Sequence, residues 1–113
     1  MTTLSMSSAP THLETAPLVL EPARALRLPR YVLTPGEYRI GADADCDIRL
    51  QVNGVAAQHA VLTMDVDGVT VQACDRRTWV NDGPIRECAL RAGDRLTIGP
   101  VTWTIRPATT DDL

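Results

Sequence analysis

Phenylalanine is absent from this 113-residue chain, and aromatic residues make up only 4% of it. A core can therefore be built only from Val, Leu, Ile and Ala, with at most a Trp or Tyr at a few places. There is no long apolar run of the kind that spans a bilayer. The N-terminus has no basic stretch followed by an apolar one, so a secretory leader is not expected. The chain carries 11 basic and 14 acidic residues, a net charge of -3. That lacks the basic excess which supplies most affinity for nucleic acid or anionic membranes. Three cysteines cannot all pair within one chain, and Cys46, Cys74 and Cys88 show no CxxC spacing. They read as buried reduced thiols of a cytoplasmic protein, or of a cytoplasmic domain of something larger.

What is present is ordinary for one globular domain: 44% hydrophobic and 22% charged residues,. Residues 1–16 are rich in Ser, Thr and Ala without a period and are expected to form a disordered N-terminal tail. Residues 108–113 read as a matching C-terminal tail, which leaves 17–107 as the folded unit. Within it, short apolar-alternating runs are separated by turn chemistry. Thr34-Pro35-Gly36-Glu37 suits a type II turn. Asp67-Gly68 reads as a two-residue hairpin between MDV and VTV, and Gly99-Pro100 breaks LTI from VTWTI. Ala60, Leu62, Met64 and Val66 fall on one face of a strand. Val69, Val71 and Ala73, and then Val101, Trp103 and Ile105, do the same on two others. This period of two with one apolar face predicts an all-β sandwich of two antiparallel sheets. Glu21 to Leu28 has room for a helical turn, with Pro22 and Pro29 arguing against a full helix.

Five blocks recur in a known order. They are Gly36-Glu37-Tyr38-Arg39-Ile40-Gly41, Asp45-Cys46-Asp47-Ile48-Arg49-Leu50, Val55-Ala56-Ala57-Gln58-His59-Ala60, Thr78-Trp79-Val80-Asn81, and the closing segment from Leu90 to Gly99 with its Gly93-Asp94. Together they resemble the forkhead-associated (FHA) domain over roughly Leu26 to Arg106. The resemblance implies an FHA-like (SMAD/FHA) β-sandwich with functional loops at one end. It also implies a non-catalytic role in binding phosphothreonine peptides. His59 and Gly41 then brace the loops, and Asn81 holds the peptide main chain. The side chains that would grip phosphate depart from the family pattern. Ala42 stands where the family usually has Arg, Ala56 where it has Ser, and Ala57 where Arg is common.

A phosphothreonine brings nearly two negative charges, and each charge-assisted hydrogen bond to it is worth roughly 1.5–3 kcal/mol. Losing an Arg and a hydroxyl removes most of that grip, and Asp43, Asp45 and Asp47 add repulsion. The expected function is a protein–protein interaction (adaptor or scaffold) module with weak or no phosphothreonine dependence. The alternative is a phosphothreonine reader that uses substitute cations from Arg76 and Arg77, with Arg49 also nearby. The bland reading of that Arg pair is solvated loop charge. Trp79 is either an exposed contact anchor near the binding edge or a packing residue. Thr15, Thr109 and Thr110 lie in the expected tails and allow a phosphorylated tail to act as a self-ligand.

Readings from other classes fit less well. Cys46 or Cys74 with His59 lacks any hydrolase signature. Asp43-x-Asp45-x-Asp47 begins like a calcium loop, but Ile48 and Gly54 stand where that loop needs Gly and Glu. The Cys and His residues lack zinc spacing, and there is no phosphate-binding glycine loop. No cofactor and no metal are expected. The partner is a protein or (phospho)peptide, and the sequence leaves oligomeric state open.

Overall fold

A computed structural model describes residues 17–23 and 28–112. The expected N-terminal tail and residues 24–27 of the helical turn expected at 21–28 lie outside the described residues, and Glu21 and Pro22 are strand. Among the described residues, eleven strands form two sheets. In chain order they are β1 (Leu18–Pro22), β2 (Tyr31–Leu33), β3 (Gly36–Gly41), β4 (Ile48–Arg49), β5 (Ala60–Asp65), β6 (Gly68–Ala73), β7 (Thr78–Val80), β8 (Gly83–Pro84), β9 (Glu87–Leu90), β10 (Arg95–Ile98) and β11 (Val101–Pro107). One sheet runs β9-β6-β5-β3-β4 and the other β2-β1-β11-β10-β7-β8. The described residues contain no α-helix.

Alternation sets the core, as the sequence pattern requires. Leu62 and Ile40 from the first sheet and Leu20, Leu96, Trp103 and Ile105 from the second have no exposed surface. Trp103 is the one aromatic residue among the fully buried core members, with Tyr31 edge-on to it at a ring separation of 6.3 Å. The missing Phe is thus made up by aliphatic side chains.

Several expectations need correction. The sandwich is not wholly antiparallel: β3 and β4 run parallel, with Ile40 opposite Ile48 and Gly41 opposite Arg49. The chain doubles back through 42–47, and the Asp47 carboxylate accepts the Arg39 N–H at 2.8 Å where the short strand β4 cannot. The β5–β6 turn consists of Val66 and Asp67, because Asp65 pairs with Gly68 and its carboxylate accepts the Asp67 N–H. Val66 therefore leaves the core face and is 53% exposed. Gly36 enters β3 opposite Met64 rather than completing a type II turn. The bend before it is closed by the Tyr38 hydroxyl, which donates to the Thr34 carbonyl and accepts the Thr34 N–H. The cysteines are unpaired but not fully buried, and Cys74 is exposed because it follows inward-facing Ala73 in the alternation.

The C-terminal segment, expected as a loose tail, turns back as a 3-10 helix at Thr110–Asp112. The Asp112 side chain is 1% exposed and takes hydrogen bonds or ion pairs from Arg106, Arg30 and Thr109. Glu21 of β1 holds the same Arg106 at 2.8 Å. Composition alone hides this, because the partners of Asp112 are distant arginines. Close by, the Ala108 N–H donates to the Pro17 carbonyl at 3.1 Å, joining the two ends of the sandwich.

Candidate functional site

The ends of β3, β5, β6, β9 and β10 that carry Gly41, Ala60, Ala73, Glu87 and Ile98 lie together. From them project the loops 42–47, 50–59, 74–77 and 99–100. Their backbones are laced to one another. Ala42 N–H donates to Ala56 O at 2.9 Å, Asp43 N–H to Ala57 O at 3.0 Å, and Leu50 N–H to Gly41 O at 2.8 Å. Gly41 has to be glycine here, because a Cβ at that position would lie 2.2 Å from the Ala57 carbonyl oxygen. Gly99, at φ 56°, abuts Gly54 in the same way, with 2.4 Å between its would-be Cβ and the Gly54 carbonyl oxygen.

His59 is the hub. It has no exposed surface. Its Nδ1 accepts the Ala56 N–H at 3.0 Å, and its Nε2 lies 2.8 Å from the Arg77 carbonyl oxygen. One acceptor and one donor define a neutral imidazole with the proton on Nε2. The His59 carbonyl accepts both the Cys74 and Asp75 N–H groups, at 2.8 and 3.0 Å. One residue thereby ties the 50–59 loop to the 74–77 loop.

The charges around it are largely spoken for. Arg77 grips Asp75 with two prongs at 3.0 and 3.1 Å. That guanidinium holds the Asp75 carboxyl far below the usual carboxylate range, and the carboxylate in turn raises Arg77. The Arg49 Nε donates to Ala42 O at 3.4 Å. Arg76 makes no side-chain hydrogen bond or ion pair among the described residues, and it borders a cavity that Arg86 also lines. Cys46 donates weakly to Ala57 O at 3.3 Å, and burial pushes its thiol pKa up. This disfavours a thiolate nucleophile. Among the described residues, no group of three or more His, Cys, Asp or Glu could hold a metal.

The structure brings Gly41, Ala42, Ala56, Ala57, His59, Arg76 and Arg77 together, and it separates Asn81 and Trp79 from them. Asn81 follows the other end of β7. Its side chain donates to Asp94 at 3.0 Å and accepts the Arg95 N–H at 2.9 Å. β10 carries the chain from Arg95 to Ile98, about 10 Å at ~3.3 Å per residue, before the loop end is reached at Gly99. Asn81 closes the β7–β8 turn at φ 51° and does not face a peptide at the loops. Trp79 stands half-buried on the outer face of its sheet between Thr97 and Pro84. Sequence reasoning missed Asp75, which neutralises Arg77, and Arg86, which returns to the same end after the short strands β7 and β8. Arg86 sits two residues before Cys88 in the strand alternation, the one signal that could have placed it.

This geometry, a β-sandwich with laced loops at one end, is that of an FHA-type domain. Solved structures agree on the fold. An FHA domain from a study of phosphothreonine-dependent FHA domain interactions is 24% identical, with a TM-score of 0.74 over 82% of this chain and 98% of that one. The FHA domain of CT664 from Chlamydia trachomatis is 19% identical, with a TM-score of 0.74 over 83% of this chain and 100% of that one. EmbR of Mycobacterium tuberculosis, in complex with a low-affinity phosphopeptide, is 26% identical over 84% of this chain and 26% of that one, again with a TM-score of 0.74. Among curated proteins, none matches.

The family model for Yop-YscD, the cytoplasmic domain of an inner membrane component of T3SS, matches residues 29–109, and the chain belongs to this family. No helix among the described residues is long and apolar enough to cross a membrane.

Proposed function

We propose that this chain is a non-catalytic interaction module of adaptor or scaffold type, on the cytoplasmic side of a T3SS-like assembly. It binds a protein partner through its loop end without strict dependence on phosphothreonine. The observation that carries this reading is the chemistry of the braced loops. Ala42, Ala56 and Ala57 offer only methyl groups, and the adjacent Arg49 and Arg77 already serve Ala42 O and Asp75. A phosphate there would meet Arg76 alone among these cations without a side-chain partner, or would have to draw Arg77 away from Asp75, beside Asp43, Asp45 and Asp47. The braced backbone remains a rigid platform, which lowers the ordering cost of docking a partner.

The test is a titration with peptides from cytoplasmic proteins of such an assembly, each with its threonine phosphorylated or unmodified. Affinities within about tenfold of each other are expected. Tightening by more than that on phosphorylation overturns the reading in favour of a phosphothreonine reader. In that case Arg76→Ala with Arg77→Ala should abolish the preference.

A further inference from the structure

The loops are not the whole of this end of the sandwich. Beside them lies a cavity of about 670 Å3 bordered by Ala73, Cys74, Arg76, Pro84, Ile85 and Arg86. Its floor is the segment that crosses from the six-stranded to the five-stranded sheet. That segment is fixed to both: the Ile85 N–H donates to Thr78 O at 3.1 Å, and Arg86 O accepts the Ala73 N–H at 2.7 Å. Its wall is the 74–76 turn, pinned by His59 and by the Thr78 hydroxyl, which donates to the Asp75 carbonyl at 2.7 Å. The backbone on both sides is therefore rigid. The exposed guanidinium groups of Arg76 and Arg86 rise from it with no hydrogen bond or ion pair among the described residues.

Charge at the cavity is not balanced from within. Asp75 borders it but is occupied by Arg77. Glu87 also borders it, paired with Gln72 of the same lining, so one carboxylate without an ion pair among the described residues faces two such guanidinium groups. All 11 basic side chains of this protein are arginine, the residue whose planar fork matches a carboxylate with two parallel hydrogen bonds. The cavity also adjoins an open edge. Among the described residues β9 pairs only with β6, so its other side offers unpaired backbone groups to an added strand,.

We propose that this cavity binds an extended acidic peptide segment, whose carboxylates meet Arg76 and Arg86 and whose apolar side chains rest on Ile85 and Pro84. The proposal rests on the interaction-module reading and moves the charge recognition from the loops to the cavity beside them.

The test uses the full chain, 15N-labelled, titrated with a nonapeptide of alternating Glu and Val. One control carries Gln for every Glu. A third peptide carries one phosphothreonine among Gln and Val. The Glu peptide is expected to shift the Nε–H signals of Arg76 and Arg86 and the amides of 73–76 and 85–87, and to bind at least about tenfold tighter than the Gln peptide. The Arg76→Ala, Arg86→Ala double variant should lose that preference while keeping the wild-type melting curve, since neither side chain bonds to the fold. Equal binding of the Glu and Gln peptides, unchanged affinity of the double variant, or no shift at millimolar peptide overturns the proposal. So does binding of the phosphothreonine peptide alone. Shifts confined to Ala42, Ala56 and Ala57 also overturn it while leaving the interaction-module reading in place. That reading fails instead by the phosphorylation preference described above.

Discussion

Replacing His59 by leucine isolates what the hub does. Leucine fills a similar volume, so the main loss is polar. The Ala56 N–H, which His59 serves at 3.0 Å, is left inside the loop end without a partner, and the Arg77 carbonyl loses His59 at 2.8 Å but keeps the Gly99 N–H at 2.9 Å. A buried backbone group without a partner costs about 1–3 kcal/mol and an ordinary lost hydrogen bond about 0.5–1.5 kcal/mol, so the variant should lose about 1.5–4.5 kcal/mol. A domain of this size has only about 5–15 kcal/mol to lose. With a urea dependence of about 1–3 kcal/mol per molar, the unfolding midpoint should fall by at least about 0.5 M. Hydrogen exchange supplies the second readout. Amide protection should drop first at Ala56 and along 74–77, while the strand pair β5–β6 stays protected up to the new global stability. A midpoint within about 0.3 M of wild type, or exchange that rises uniformly through the sandwich, would refute the idea that His59 couples two loops.

Other outcomes follow from the same contacts. Asn81→Ala should cost about 1–2 kcal/mol through its lost bonds to Asp94 and Arg95,, and it should leave peptide affinity unchanged in the titration described above. Acid should unfold the protein by a defined route. Hydrogen bonds from Arg77, Asn81 and Arg106 hold Asp75, Asp94 and Asp112, respectively, below the usual carboxylate value of 3.8. Because the unfolded chain takes up these protons first, their stabilisation is complete above about pH 5 and drains away as pH falls below about 4. Urea midpoints measured across that range should show the loss, and Asp112→Asn should flatten it. Iodoacetamide should modify exposed Cys74 well before Cys46, whose thiol is half-buried and raised in pKa. Peptide mapping that finds Cys46 labelled first would contradict the site geometry.

The strands were legible because alternation is a local signal with a strong physical cause. Val101, Trp103 and Ile105 face inward as their spacing requires. The turns were less so, since Asp65 shifts the β5–β6 corner by one residue through its own side chain, a choice composition does not reveal. The parallel β3–β4 pair depends on how 42–47 doubles back, which no period encodes. At the site, the alanines could be read off one by one, but the fate of the cations could not. Arg77 and Arg76 are adjacent in sequence, yet one is consumed by Asp75 and the other is left unpaired. Asn81 shows the reverse failure: its neighbours in sequence suggested the loops, and strand direction carried it to the opposite end.

The bond between Pro17 and Ala108 gives the molecule a practical polarity. β11 runs from Val101, beside the Gly99 turn, to Pro107, so the Pro17–Ala108 junction lies the length of a seven-residue strand from the loops. That is about 20 Å at ~3.3 Å per residue. A tag, a surface tether or a fused protein attached at either side of this junction hangs from the pole opposite the loops and the arginine-lined cavity. Immobilised by either route, the sandwich presents the same face to solution. Two sensors tethered at Pro17 and at Ala108 should therefore report the same affinity, and a difference between them would reveal a partner that reaches down the flank of the domain.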